Sequence, residues 1–141
     1  MVENDYVFTS EIQNLIISNP DVGHHNSYAS FEIDGQKRDC AVIFTTVKQY
    51  EEPGDSFFDG MVTGLVPIDD LGMMYTSDEA SNFWEVFGKN TNYVVDPEET
   101  LADNFSYVIF YGVDDPRYET PELIRAIDEY LKSSMAVKDA A

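Results

Sequence analysis

Carboxylates stay at the surface of a fold unless a cation neutralises them. This chain has few cations to offer: 27 Asp and Glu stand against eight Lys and Arg, for a formal net charge of −19. Any fold must therefore sort the 141 residues into an apolar interior and an anionic shell. The apolar material suffices, because 43% of residues are hydrophobic and 13% aromatic, well above what acidic disordered tails carry. A chain of this length buries roughly 68% of the surface its unfolded form exposes. The expectation is one α+β domain over residues 1–141, with 136–141 a frayed tail.

The same charge excludes two function classes. A nucleic-acid binder that neutralises phosphates must bring cations to the backbone, and a membrane-surface peptide must bring a basic patch. No apolar run approaches the ~20 residues of a membrane span; the longest are 41–44 and 107–111. The acidic start Met1-Val2-Glu3-Asn4-Asp5 has no apolar run behind it, so no secretory signal is read there and a cytoplasmic setting is expected. Cys40 is the sole cysteine, and its apolar neighbourhood, 40–44, points to a buried reduced thiol. Salt adaptation is the competing account of the acidity, but nine Phe and nine Tyr depart from the small-residue bias expected of it.

Along the chain the charge is uneven. Residues 1–48 carry −4, residues 49–116 carry −14 with Lys89 as their one cation, and residues 117–141 carry −1. A folded monomer of this size exposes roughly 7,400 Å², or ~390 Å² per excess charge. Duplex DNA has about 110 Å² per charge. The middle segment would approach that density if its 15 carboxylates shared a quarter of the surface, at roughly 120 Å² each.

Periodicity predicts a helix over 10–18, capped by Ser10, with Ile12, Leu15 and Ile16 on one face, stopped at Asn19-Pro20-Asp21. Alternation over 27–34 and the run 39–47 predict a hairpin across Asp34-Gly35 with a four- or five-residue loop. Residues 49–59 read as an acidic loop, and 60–67 as a third strand with Gly64 at a bulge. A fourth strand or turn comes next, at 71–75. Thr76-Ser77-Asp78-Glu79 has capping-box form ahead of a helix whose apolar face holds Ala80, Phe83, Trp84 and Phe87, with Gly88 ending it. Residues 92–95 read as a short strand and 103–111 as the strongest strand, with Phe105, Tyr107, Ile109 and Tyr111 alternating. Thr120-Pro121-Glu122 opens a last helix with the stripe Leu123, Ile124, Ile127, Leu131 and an Asp128–Lys132 pair. The result is an α+β sandwich: a mostly antiparallel sheet of about five strands with three helices.

Motifs for chemistry are sparse. No phosphate-binding glycine pattern and no nucleophile elbow occurs. His24 and His25 are adjacent, so their side chains diverge and a metal would need help from Asp21 or Glu32. Cys40 with either histidine would make a cysteine nucleophile, yet Arg38 is its one activating neighbour. The doublets Glu51-Glu52, Asp69-Asp70, Glu98-Glu99 and Asp114-Asp115 stem from the abundance of acids, and residues 55–60 only brush the calcium-loop pattern. No catalytic residue, metal or cofactor is assigned.

The expected function is that of an acidic protein-binding inhibitor blocking the cationic site of a basic protein partner. The leading form is an immunity protein neutralising a nuclease-type toxin. One alternative is a phage-encoded DNA mimic acting on a host defence or DNA-binding enzyme; another is a small-ligand or enzymatic domain using His24, His25 and Cys40. The expected partner contacts are Glu51, Glu52, Asp55, Asp59, Asp69 and Asp70, with Tyr50 as an apolar anchor. Trp84 is expected in the core, while Phe57 and Phe58 either join the contact loop or pack inward.

Overall fold

A computed structural model describes residues 4–17, 22–46 and 60–139. The architecture is α+β, built on one four-stranded antiparallel sheet in the order β1-β2-β3-β4. The strands are β1 (Ala29–Ile33), β2 (Gln36–Thr46), β3 (Met61–Pro67) and β4 (Tyr75–Thr76). The helices are α1 (Ser10–Gln13), α2 (Phe83–Phe87), α3 (Pro97–Tyr111) and α4 (Pro121–Asp139). Among the described residues no helix is long and apolar enough to cross a membrane.

Alternation along β2 sends its side chains to two faces. Cys40 and Val42 join Phe31, Ile33, Leu65, Phe83 and Phe87 on one side. Ala41 and Ile43 join Phe8, Ile12 and Val66 on the other. Phe31, fully buried, stacks on Phe83 and Phe87 at ring separations of 6.0 and 6.1 Å, which ties the sheet to α2. The N-terminal segment with α1 thus covers one face of the sheet, and α2 with Ala80 and Val94 covers the other.

Several local expectations are corrected. The hairpin loop has two residues rather than four or five, since Asp34 and Gly35 both take positive φ (51° and 71°) and Ile33 pairs directly with Gln36. Asp-Gly tolerates that geometry, and the turn's twist matches that of the strands. Gly64 makes no bulge: it stays in register with Ile43 and Thr76. It is needed for close packing, because a Cβ there would lie 2.8 Å from the Met74 sulfur and 3.0 Å from Ile43 and Thr45 atoms. The first helix ends at Gln13; residues 15–17 instead extend beside β2, with Ile17 donating to the Phe44 carbonyl at 2.8 Å and Ile16 bridging Thr45. Ser10 is its first helical residue rather than its cap, a place taken by Thr9.

The capping box Thr76/Glu79 forms, but over a 3-10 turn, Ser77–Glu79, so the next α-helix begins only at Phe83. Phe83 and Phe87 are buried on it, whereas Trp84 is 43% exposed and does not belong to the core. Residues 92–95 are irregular, held by Tyr93 N–H donating to the Thr91 hydroxyl at 2.9 Å. The largest correction is α3, which replaces the strand expected at 103–111. The last helix starts at Pro121 as expected, buries Ile124 and Ile127, and continues to Asp139, past the expected fray point at 136. Among the described residues, four strands and four α-helices therefore stand where about five and three were expected.

Candidate functional site

Helix α3 forms because its start is fully specified. The Asp96 side chain accepts from the N–H groups of Glu98 and Glu99 at 2.7 and 3.4 Å, Pro97 occupies the first turn, and Glu98 and Glu99 complement the dipole. The helix ends at Gly112, with φ 77°, where the Tyr118 hydroxyl donates to the carbonyls of Tyr107 and Gly112 at 3.0 and 2.7 Å. Beyond it Arg117 stacks 3.9 Å from the Tyr111 ring centroid and donates to both Asp115 oxygens, holding that carboxyl down at about 2.

The fully buried residues of α3 are polar. Thr100 and Asn104 are its buried residues, one turn apart on the same face. The Thr100 hydroxyl donates to the Asp96 carbonyl at 2.8 Å, and the Asn104 amide donates to the Thr100 carbonyl at 2.8 Å. The Asn104 carbonyl oxygen accepts from Asn90 at 3.1 Å. Asn90 in turn donates to the Thr120 carbonyl and accepts from its N–H, both at 2.8 Å. This chain of bonds ties α3 to the start of α4. Each buried polar group in it has a partner, which is the condition for such a network to hold.

Tyr107 and Val108, further along the helix, are half-buried, whereas other apolar side chains of α3 point outward. Leu101, Phe105 and Ile109, spaced by four, make one stripe and are 54%, 39% and 65% exposed. Phe110, on the neighbouring flank, is 77% exposed. Leu101 also edges an apolar groove of about 280 Å³ lined in part by Tyr28, Ala29, Val86, Phe87 and Leu123. Carboxylates border both features. Glu98 shares the face of the stripe, while Glu99 and Asp103 lie further round the helix, on the side of Phe110. Glu85, Glu98 and Glu122 directly adjoin the groove residues Val86, Pro97 and Leu123, while no Lys or Arg adjoins any groove residue in sequence.

The contacts expected from sequence fall elsewhere. Tyr50, Glu51, Glu52, Asp55 and Asp59 lie outside the described residues, as do Phe57 and Phe58. Asp69 and Asp70 are exposed in the turn after β3. Asp70 accepts from Gly72 N–H at 3.2 Å, and Asp69 lines a hollow of about 470 Å³ together with Lys37 and Arg38, beside two of the few cations of the molecule. Periodicity alone misses the stripe on α3, because 105–111 alternates as a strand does. The signal that finds it is Asp96-Pro97-Glu98-Glu99, a helix start, succeeded by apolar residues at 101, 105 and 109. The groove needs tertiary packing and has no sequence signal.

The residues singled out for chemistry are not brought together. His24 reaches Asp5 at 3.2 Å on the surface. His25 packs edge-on to Phe8, 5.6 Å between centroids, on the side of the sheet opposite Cys40. Cys40 is fully buried, and that burial pushes its thiol up to about 11, so no thiolate nucleophile forms near neutrality. Among the described residues no three His, Cys, Asp or Glu side chains converge as a metal site would require. Comparison of the chain with protein-family models, curated proteins and solved structures finds no match.

Proposed function

We propose that this chain is a cytoplasmic acidic inhibitor that binds a basic protein and blocks its cationic site, as an immunity protein blocks a nuclease-type toxin. The observation that carries the reading is charge without compensation. Asp70, Asp78, Glu79, Glu85, Glu98, Glu99 and Asp103 are exposed or half-exposed and form no ion pair with a described residue. Carboxylates left in this state repel one another, and the repulsion is relieved when Arg and Lys of a partner approach. An outward apolar stripe beside them favours a dedicated protein partner over DNA mimicry, since a surface that imitates only phosphates has no use for Leu101, Phe105 and Ile109.

Capture tests this directly. The tagged chain, passed through a lysate of the organism that carries its gene, should retain a basic protein that salt elutes. That protein's activity should fall as the chain is added in stoichiometric amount. Reversing Glu51, Glu52 and Asp55, or Glu98, Glu99 and Asp103, should slow association about tenfold. Tight binding that survives both high salt and charge reversal would overturn the reading, as would a captured partner whose activity the chain leaves untouched.

A further inference from the structure

Helices in folded proteins turn apolar stripes toward a core; α3 does the reverse, with Thr100 and Asn104 inside and Leu101, Phe105 and Ile109 outside. Resting on the inhibitor reading, we infer that the α3 stripe and the adjoining groove form a docking face for a cationic amphipathic helix of the partner. Shape supports a helix as occupant. The 15 residues of α3 span about 22 Å, and a ridge of side chains spaced by four is what a second helix receives in its own groove. At roughly 200 Å² per large side chain, Leu101, Phe105 and Ile109 together expose on the order of 300 Å², the lower end of a functional patch.

The groove supplies the anchor site. Its volume of about 280 Å³, with Phe87 and Ala29 among its walls, suits one large apolar side chain projecting from the partner helix. Charge selects the rest of that helix. Glu98 lies on the face of the stripe, and the exposed Glu85 and Glu122 adjoin the groove residues Val86 and Leu123 in sequence, so the occupant gains from Lys or Arg flanking its apolar stripe. A second copy fits poorly by the same reasoning. It would set Glu98 against its own kind with −19 on each chain, and the stripe offers less than half of the ~800 Å² per partner of a stable interface.

The test uses two synthetic peptides of about 18 residues, identical in Leu, Phe, Lys and Arg content. One is patterned to put the apolar residues on a single helical face, and the other is shuffled to spread them. Binding is read at low salt by calorimetry and by the fluorescence of Trp84, the only tryptophan, which lies two residues from Val86 of the groove. The patterned peptide should bind at least about tenfold tighter. Combining Leu101→Ala, Phe105→Ala and Ile109→Ala, which leaves net charge unaltered, should erase that difference while the circular dichroism spectrum is kept. Ile109→Ala alone, at a mostly exposed position, should reduce it in part. Equal, salt-dependent binding of both peptides would overturn the docking face and leave the inhibitor reading standing. Binding of neither would overturn the docking face, with the inhibitor reading judged separately by the activity of the captured partner. A dimer that the three substitutions dissolve, and that excludes the peptide, would assign the face to a second copy and overturn the proposal.

Discussion

The sheet and α3 partition their side chains in opposite senses. In the sheet, Phe31, Ile33, Ile43 and Leu65 are fully buried, while Glu32, between the first two, is exposed. In α3, Thr100 and Asn104 are buried while Leu101 and Ile109 are more than half exposed. The sheet is stabilised by apolar surface removed from water. The seat of α3 is held by hydrogen bonds through Asn104, Asn90 and Thr120, each contributing modestly but costly to leave unmade. Stability and exposure are thus decoupled in α3: its position does not depend on hiding its apolar stripe, so that stripe is free to meet another molecule.

Substitution should cost most in the sheet. Phe31→Ala removes the ring stacked on Phe83 and Phe87 and should cost about 3–5 kcal/mol in denaturant unfolding. Asn104→Ala strips the amide that links α3 to Asn90 and should cost about 2 kcal/mol. If it costs nothing, the polar seat is not what holds α3. Gly64→Ala forces a methyl against Met74, Ile43 and Thr45 and should cost about 1–2 kcal/mol by overpacking.

Alkaline stability probes the buried side of β2. The folded Cys40 thiol, held protonated by burial up to about 11, keeps its proton past the ordinary value of 9.0. Between those values the unfolded chain binds fewer protons, so the contribution is complete below pH 9 and is lost as pH rises toward 11. Cys40→Ser should flatten that slope in pH-dependent unfolding. The smallest effect is the sharpest for the comparison: Leu101→Ala with Ile109→Ala should shift unfolding by no more than ~0.5 kcal/mol. A loss comparable to Phe31→Ala would mean the stripe belongs to the core.

The β2–β3 core and α4 are legible in the sequence because periodicity and punctuation agree there. Val42, Ile43, Leu65 and Val66 sit in β-branched runs, and Thr120-Pro121-Glu122 precedes a stripe that buries Ile124 and Ile127. At α3 the two signals conflict. Phe105, Tyr107, Ile109 and Tyr111 alternate as on a strand, but cap and proline at Asp96-Pro97 fix the backbone before that alternation begins. Size alone argues for Trp84 inside, whereas α2 is too short to present more than Phe83 and Phe87 to the sheet. Of the expected contact set, Asp69 and Asp70 are exposed, but Asp69 borders Lys37 and Arg38 instead of a continuous acidic face. The groove beside Leu101 joins residues from β1, α2, α3 and α4, a convergence that no local pattern encodes.

The most direct measurement is side-chain oxidative footprinting of the chain, alone and with its captured basic partner. Free, Phe105, Ile109 and Phe110 should label readily and Phe31 hardly at all, in line with their exposure. In the complex, labelling of Leu101, Phe105 and Ile109 should fall severalfold while Phe31 stays as it was. Unchanged labelling along α3, with protection appearing only elsewhere, would contradict the claim that its outward stripe exists to be covered by a partner.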